Sequence, residues 1–365
     1  MKSQHRIIII GCWPPPSGGV ASYTTDLYYN LLNMGFEVNV YATGNFTVSD
    51  NNIKKINLSP RNPTSFLLSL LRMFIEISRG SIIHTQSILT VFPRKYLFLF
   101  FFFLKKIKRC FLIETLHDAT LIERYDQFSE KQKQLYFLIG RFINYLIVIN
   151  DSLKDFCISI GIPEAKIVVI SSLLPLNCLE LEKDNVPLEF QKFSQKFKSI
   201  VVTSGAFIPL YDLKTVVCAF LRFSQKYQNS GLVILQNSFA IDDTYKKEIL
   251  GIIKDKDNIL LLKDVPREQV LSIFVKSDLF IRGAQFDSFG LSKVEAILMG
   301  AKVISTKAGI TNFMEIYEYQ NAESLLVVMQ KALVIDNTKT DERKNYFQKL
   351  AIDNFNKIID IYDSL

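Results

Sequence analysis

Short runs of consecutive apolar residues recur along the chain, and segments with helical spacing separate them. The first run is "RIIIIG" at residues 6–11; a glycine loop, the helical segment "VASYTTDLYYNLLNMG" at 20–35 and a second run, "FEVNVYAT" at 36–43, follow it. This alternation predicts β-α-β units. The runs are apolar throughout, which is typical of parallel strands that are covered on both faces.

The predicted strands fall into two groups. The first group adds residues 81–85, 110–115, 145–150 and 166–171, and the second comprises residues 199–204, 231–236, 258–262, 278–282 and 302–306. A polar stretch with two prolines and no clear period lies between the groups, and we interpret it as a linker. The predicted fold class is therefore α/β, with two tandem doubly wound Rossmann-like domains that face each other across a cleft.

The same pattern sets the expected domain boundaries. We place the N-terminal Rossmann-like domain at residues 1–175, the linker at 176–197 and the C-terminal Rossmann-like domain at 198–338. Residues 339–365 are predicted to form a helix that packs back on the N-terminal domain. A chain of 365 residues is long enough for two domains. Ligands of such sheets bind at the carboxyl ends of the strands, so a site is expected there.

Composition and charge narrow the class of protein. With 48% hydrophobic and 22% charged residues, the chain is expected to be globular rather than disordered. The net charge of +7 is uneven, because residues 1–110 hold 13 Lys and Arg against 4 Asp and Glu. The five cysteines have no metal-binding spacing and are expected to be reduced and mostly buried. The first residues lack the long apolar stretch of a signal peptide, so export is not expected.

Two acidic residues flank a predicted helix start in "FDSFGLSKVEAILMGAKVIST" at residues 286–306. Asp287 lies in the loop, Gly290 allows close approach of a ligand, and Glu295 lies about one turn inside the helix. The unpaired N–H groups of a helix start form an anion site, most naturally for phosphate. Each carboxylate could bind a sugar or ribose hydroxyl. Spacing alone is equally compatible with a capping role for Asp287 and a solvated helix position for Glu295.

This segment resembles the E-x7-E signature of GT-B glycosyltransferases, particularly the retaining family-4 enzymes, with Asp287 in place of the first glutamate. The resemblance extends along most of the chain. It implies transfer of a sugar from a nucleotide-sugar donor to a lipid-linked glycan, as in bacterial O-antigen, capsule or exopolysaccharide assembly. It also implies a cytoplasmic enzyme, peripheral on the inner face of the cell membrane, with no metal and no cofactor besides the nucleotide-sugar co-substrate.

The resemblance assigns a role to each residue of this segment. Asp287 is expected to orient the donor sugar and Glu295 to hold the ribose. The backbone N–H groups around Gly290, Leu291 and Ser292 are expected to bind the diphosphate. In the retaining mechanism of these enzymes a donor phosphate oxygen takes the acceptor proton, so the protein positions the substrates and neutralises charge.

The N-terminal half contributes further candidates through the same resemblance. "PPPSGGVASYT" resembles the family's first glycine loop, which places Gly18 and Gly19 against donor phosphate or acceptor; a tight turn without a ligand is the alternative. "ETLHD" at residues 114–118 ends a strand as the family's loop histidine does, which assigns His117 to the transferred sugar. His84 in "SIIHTQS" is equally compatible with a satisfied buried histidine.

The chain departs from the family where an arginine and a lysine usually neutralise the donor diphosphate. Ala206 and Tyr211 occupy those positions. Lys214, Lys293 and Arg282 are the nearby replacements, and Arg282 is preferred because it ends a strand on the expected cleft side. A variant branch of these enzymes shows the same arginine and tyrosine. The alternative function is a non-catalytic GT-B homologue that acts as a nucleotide-sugar-binding or scaffold partner of another transferase.

A basic aromatic segment at residues 92–109 contains nine unbroken apolar or aromatic residues and six basic ones. It is too short to span a bilayer but suits an interfacial helix on an anionic membrane, and residues 65–80 have a similar character. Packing of both helices on the first sheet is the alternative, and the two interpretations are compatible.

Nucleic-acid binding is not expected, since no recognition motif accompanies the charge. The D-x-D of Asp255 and Asp257 is interpreted as solvated surface. A sugar-nucleotide epimerase, a third hypothesis, would not need the basic helix.

Overall fold

The computed structural model describes residues 5–15, 18–46, 49–59, 61–87, 95–118, 120–174, 185–334 and 340–365. Part of the predicted glycine loop, the start of the basic aromatic segment and the first residues of the predicted linker lie outside these ranges. The chain divides into two compact units. The first consists of Met1–Pro175 with Ala351–Leu365, and the second of Leu176–Leu350.

The first unit is built on a seven-stranded parallel sheet. Its strands are β1 (Ile7–Cys12), β2 (Val38–Thr43), β3 (Ile53–Lys55), β4 (Ile82–Gln86), β5 (Phe111–Leu116), β6 (Tyr145–Val148) and β7 (Ile167–Val169). The order across the sheet is β3-β2-β1-β4-β5-β6-β7, and every pairing is parallel. The helices described here are α1 (Gly19–Asn33), α2 (Pro63–Glu76), α3 (Lys95–Ile107), α4 (Leu121–Tyr125), α5 (Glu130–Phe142) and α6 (Asp151–Ser159).

The apolar runs become strands because both faces of this sheet are covered. Along β1, Ile8 and Ile10 pack into one buried cluster, while Ile7 and Ile9 pack into another. Successive side chains of a strand point to opposite faces, so an unbroken apolar run fills both cores. This explains why the predicted strands lack alternating polar residues.

The second unit contains a six-stranded parallel sheet in the order β10-β9-β8-β11-β12-β13. Its strands are β8 (Ser199–Phe207), β9 (Ser230–Ile241), β10 (Ile259–Lys263), β11 (Leu279–Arg282), β12 (Lys302–Ser305) and β13 (Glu315–Ile316). Its described helices are α7 (Leu188–Ser194), α8 (Leu213–Lys226), α9 (Asp243–Ile253), α10 (Arg267–Val275), α11 (Leu291–Met299) and α12 (Ala322–Val334). The two doubly wound parallel sheets confirm the predicted α/β class.

The predicted linker is wrong in part, because α7 forms within it. Phe190 is fully buried and Phe193 nearly so, and the ring of Phe193 lies 4.8 Å from that of Phe197, tilted by 47°. A Cβ on Gly231 would collide with the Phe193 ring, so α7 packs tightly against β9. The sequence of this short helix has no clear helical period. Contacts of its aromatic residues with β9 and nearby residues hold it in place.

The last helix, α13 (Thr340–Asp363), passes from one unit to the other along the chain. Phe355, Ile358 and Tyr362 are buried in the second cluster of the first unit, with Ile7 and Ile9. The Asn354 amide donates to the Ser172 carbonyl at 2.8 Å and to the Ser171 hydroxyl at 3.1 Å. The carboxyl-terminal residues therefore complete the core of the unit that the amino-terminal strands begin.

Both sheets reverse their direction of growth at one strand. In the first unit β1 lies between β2 and β4, and in the second unit β8 lies between β9 and β11. Ligands of doubly wound sheets bind at the carboxyl ends of the strands on either side of such a reversal. The loops that follow β1, β4, β8 and β11 are therefore where function is expected. None of the described helices is long and apolar enough to cross a membrane.

Candidate active site

The start of α11 depends on the conformation of one glycine. Gly290 precedes the helix with φ 88°, a left-handed conformation that favours glycine, and as the N-cap residue it has no side chain to cap the first turn. The backbone N–H groups of Leu291 and Ser292 thus begin a nine-residue helix with no competing side-chain acceptor at the N-cap. Such a helix start carries a partial positive charge.

Asp287 does not cap this helix. Its Oδ2 accepts from Nε of Arg282 at 3.1 Å, and Arg282 Nη1 donates to the Ser204 carbonyl at 2.9 Å. Burial alone would lower the pKa of Arg282, but Asp287 and Tyr211 outweigh it and the pKa is raised. The guanidinium is therefore a permanent, mostly buried cation at the end of β11, and the capping interpretation of Asp287 is wrong.

Tyr211 lies beneath this cation. The guanidinium carbon of Arg282 is 4.6 Å from the centre of the Tyr211 ring, which is within the range of a cation–π interaction. A Cβ on Gly205 would collide with Cβ of Tyr211, and a Cβ on Gly283 would meet the Tyr211 carbonyl at 3.1 Å. The two glycines let the loop after β8 close onto the end of β11. Ala206 is fully buried in β8 and takes no part in the charge arrangement.

Lys214 is not brought to this cluster. Its ammonium pairs with Glu248 of α9 at 2.5 Å, and both side chains are about half exposed. The backbone N–H of Lys214 donates to the Tyr245 hydroxyl, also on α9. Lys293, the other candidate lysine, lies on the first turn of α11 and is fully buried.

Glu295 faces the protein interior rather than solvent. Its residue exposure is 5%, and its Oε1 accepts from Nε and Nη2 of Arg267 at 2.7 and 2.6 Å. The interpretation as a solvated helix residue is therefore wrong. The α10–α11 contact that brings Arg267 here could not be predicted from the sequence, because it joins residues 28 positions apart.

In the first unit, His117 follows β5 and is oriented by the end of β4. Its Nε2 lies 2.8 Å from Oε1 of Gln86, its backbone N–H donates to the Ser87 hydroxyl at 3.0 Å, and its ring meets the Tyr23 ring edge-on at 4.6 Å. Burial lowers the pKa of His117 to about 3, so the imidazole is neutral near pH 7. Neither Gln86 nor Tyr23 was predicted as a site residue. Gln86 lies at the end of the predicted strand segment "SIIHTQS", and this position is the signal that could have identified it.

Gly18 and Gly19 lie at the start of α1 in open space. A Cβ on either residue would meet nothing within 4 Å, and the φ of Gly18 is −175°, an extended conformation that any residue adopts. Neither packing nor a strained turn requires these glycines. They leave the first turn of a 15-residue helix accessible.

His84 has a structural role. Its Nδ1 lies 2.7 Å from the Tyr362 hydroxyl and its Nε2 lies 2.7 Å from the Thr115 hydroxyl. Burial lowers its pKa to about 3. Of the two open interpretations, the satisfied buried histidine is the correct one.

Asp255 and Asp257 are exposed in the turn before β10, and no metal-binding cluster occurs among the residues that the structure describes.

Part of the chain matches a known family model. Residues 17–174 match the Glycosyltransferase Family 4 profile. The two doubly wound parallel sheets are those of the GT-B fold. No curated protein sequence matches the chain.

Solved structures share the fold over nearly the whole chain. Anabaena HepE in complex with UDP-glucose is 15% identical with a TM-score of 0.74, and 99% of this chain and 100% of HepE are covered. Sucrose-phosphate synthase from Thermosynechococcus elongatus is 14% identical with a TM-score of 0.72, at 99% and 100% coverage. A Rickettsia africae glycosyltransferase is 18% identical with a TM-score of 0.72, at 99% and 98% coverage.

Proposed function

We propose that the protein transfers a sugar from a nucleotide-sugar donor to a lipid-linked saccharide at a membrane surface, in the assembly of a bacterial surface polysaccharide. The observation that carries the donor half of this proposal is the buried Arg282 cation at the start of α11. It supplies, from the end of β11, the positive charge that Ala206 and Tyr211 do not. A leaving diphosphate needs such charge, and its stabilisation is usually a large part of catalysis.

Each group at the start of α11 has a proposed part in holding the donor. The N–H groups of Leu291 and Ser292 donate to the diphosphate oxygens, with Arg282 beside them. Glu295 Oε1 is bonded to Arg267, so Oε2 is the oxygen offered to a ribose hydroxyl. Asp287 is fixed by Arg282 and binds a hydroxyl of the transferred sugar. In the first unit, neutral His117 binds a saccharide hydroxyl.

The proposed reaction retains the configuration at the anomeric carbon. The acceptor hydroxyl attacks that carbon on the face from which the diphosphate leaves. The bond from the anomeric carbon to the donor phosphate oxygen breaks, and the acceptor proton passes to a phosphate oxygen of the leaving group. No protein nucleophile is needed, and the roles left to the protein are positioning and charge neutralisation.

A donor panel tests this function. UDP-, GDP-, dTDP- and CMP-sugars are screened by thermal shift and then for release of the free nucleotide with and without membrane extract. UDP-sugars come first, because HepE binds UDP-glucose. We expect stabilisation by one nucleotide class and turnover that depends on the acceptor. Binding without turnover under all conditions would support the scaffold alternative, and no binding would refute both.

The membrane half of the proposal rests on an apolar face of α2 and α3. These helices expose large side chains at positions that share one helical face: Leu67, Leu68, Leu71 and Ile75 on α2, and Tyr96, Leu99, Phe103 and Ile107 on α3. The Lys108 ammonium donates to the Phe74 and Ile77 carbonyls, which ties the ends of the two helices together. Large exposed apolar patches on a folded protein indicate an interaction surface.

Basic side chains border this face. Those exposed on or beside the two helices are Arg61, Arg72, Arg79, Lys106 and Arg109. Glu76, the acid on α2, is bonded to Lys54 and Arg72, and although burial alone would raise the pKa of its carboxyl group, these partners lower it to about 2. Apolar side chains bordered by cations match the chemistry of an anionic bilayer surface. The opposite faces carry buried Phe66, Met73, Leu97, Phe101 and Leu104, so packing of these helices in the core of the first unit is compatible with the proposed membrane surface.

We expect the double variant Leu71→Ser, Phe103→Ser to bind anionic vesicles about tenfold or more weakly than the wild type, because each substitution removes an exposed apolar side chain from the lipid boundary. Flotation with phosphatidylcholine vesicles, with and without about 30% phosphatidylglycerol, measures the effect. The anionic lipid gives the vesicles a negative surface potential that attracts basic side chains. Ile352→Ser, on the exposed side of α13, is the matched control. Equal flotation of the variant and the wild type would refute the surface.

A further inference from the structure

Lys293 is a cation buried among neutral hydrogen-bond acceptors. It is fully buried on the first turn of α11, and its Nζ donates to the carbonyls of Ala308 at 2.5 Å and Ile310 at 2.7 Å and to the Ser305 hydroxyl at 3.3 Å. Among the described residues it forms no ion pair. Burying a charge is costly unless an opposite charge compensates it. The three neutral acceptors satisfy its hydrogen bonds but carry no opposite charge.

The path of this side chain explains Gly290. A Cβ on Gly290 would collide with Cε of Lys293 and would lie 3.0 Å from its Nζ. The lysine therefore folds back beneath the residue that precedes the helix, and only a glycine leaves room for it. The ammonium is thereby held close to Gly290, the residue that directly precedes the first turn of α11.

The carboxylate whose field favours the charged form of Lys293, that of Asp287, is itself paired with Arg282 at 3.1 Å. The charge of Lys293 adds to the partial positive charge of the helix start. An anion outside the first turn of α11 would complete the balance. Because the three hydrogen bonds of the Lys293 ammonium go to groups of the protein, the lysine would act on that anion through its electric field rather than by contact.

We propose that Lys293 provides the second positive charge of the donor diphosphate site, acting from beneath Gly290 while it holds the loop of Ala308 and Ile310 in place. This inference rests on the proposed donor site and extends it. Lys293 is a positioning residue, since it touches the loop and not the reacting atoms. Arg282 and Lys293 together would then replace the two cations that are missing at Ala206 and Tyr211.

The proposal has a pH signature. Burial lowers the pKa of Lys293 to about 8, while Asp287 raises it and Arg282 lowers it; these are the charged groups that face it. The free protein holds this proton below pH 8 and loses it above. A bound diphosphate favours the charged form and raises the pKa, so binding above pH 8 takes up a proton, and binding at pH 6.5 to 7 takes up almost none.

Calorimetry on the full chain tests this. The nucleoside diphosphate selected by the donor panel is titrated at pH 7.0 and pH 8.5 in pairs of buffers with different ionisation enthalpies. At pH 8.5 the wild type should take up roughly half a proton. Lys293→Met should take up none and bind the diphosphate on the order of tenfold more weakly, with the affinity for the parent nucleoside unchanged. Lys302→Met is the control, since Lys302 donates to the Ala332 carbonyl from the opposite end of β12.

Equal losses of diphosphate and nucleoside affinity in Lys293→Met, or proton uptake like that of the wild type, would overturn the inference. If Lys293→Met does not fold, the Lys293 side-chain amine is titrated by NMR in the wild type with and without nucleotide. A rise of its pKa on binding supports the proposal, and an unchanged pKa refutes it. Failure of the wild type to bind any nucleotide would refute the proposed function itself, whereas binding without proton uptake refutes only the role of Lys293.

Discussion

Arg282→Ala is expected to lower donor turnover by about 10²- to 10³-fold, the loss typical of removing one preorganised group that stabilises developing charge. The guanidinium is held by Asp287, the Ser204 carbonyl and the Tyr211 ring, so it needs no reorganisation when the diphosphate leaves. Its removal also leaves Asp287 without its partner, and a free carboxylate beside the phosphates would repel them. Initial rates of nucleotide release, with saturating acceptor, measure the effect.

Arg222→Ala is the matched control for this experiment. Arg222 also pairs with a carboxylate, that of Glu323 at 2.8 Å, but both side chains are more than half exposed. Its removal should leave turnover within about twofold, because exposed ion pairs contribute little. Thermal unfolding of both variants separates a loss of catalysis from a loss of folding. If folded Arg282→Ala retains a third or more of the wild-type rate, Arg282 is not the cation of the site.

Glu295→Gln is expected to weaken donor binding by about 10- to 100-fold, since a hydrogen bond to a charged group contributes about 1.5–3 kcal/mol. The substitution keeps the size of the side chain but removes the negative charge that binds Arg267 and, in the proposal, a ribose hydroxyl. A donor analogue that lacks the ribose hydroxyls should bind the wild type and the variant with nearly equal affinity. Titration calorimetry with both nucleotides gives the four affinities.

This set of affinities separates two roles of Glu295. If the carboxylate binds the ribose, the effects of the substitution and of removing the hydroxyls are strongly non-additive. If it only holds α10 against α11, the variant weakens both nucleotides equally and the ribose assignment is wrong. Glu323→Gln, which removes the exposed partner of Arg222, is the control and should change neither affinity.

The strand, loop and helix start of the proposed donor site could be predicted from the sequence because their signal is local. A strand that ends at Arg282, a loop with Asp287 and a helix that opens after Gly290 each follow from spacing and residue type within about 20 positions, the range over which one strand, loop and helix extend. The strands were predicted for the same reason, since parallel strands buried on both faces are apolar throughout. β3 and β13 were missed because they contain only three and two residues and depend on pairing with a longer neighbour.

The partners of the site residues came from the tertiary structure alone. Arg267 is 28 positions from Glu295, and Tyr211 is 71 positions from Arg282, so no periodic pattern connects them. The sequence could name Lys214 and Lys293 as equivalent cations, but packing sends one to Glu248 on the surface and buries the other under Gly290.

The sequence by itself determined the two sheets, the helix start after Gly290 and the acids around it, because these follow from backbone periodicity and local conformation. Only the tertiary structure decided which charges are paired, which are buried and which remain unbalanced. It also decided that residues 351–365 complete the core of the first unit. Burial and pairing depend on contacts between distant parts of the chain, and those contacts exist only once the sheets have packed.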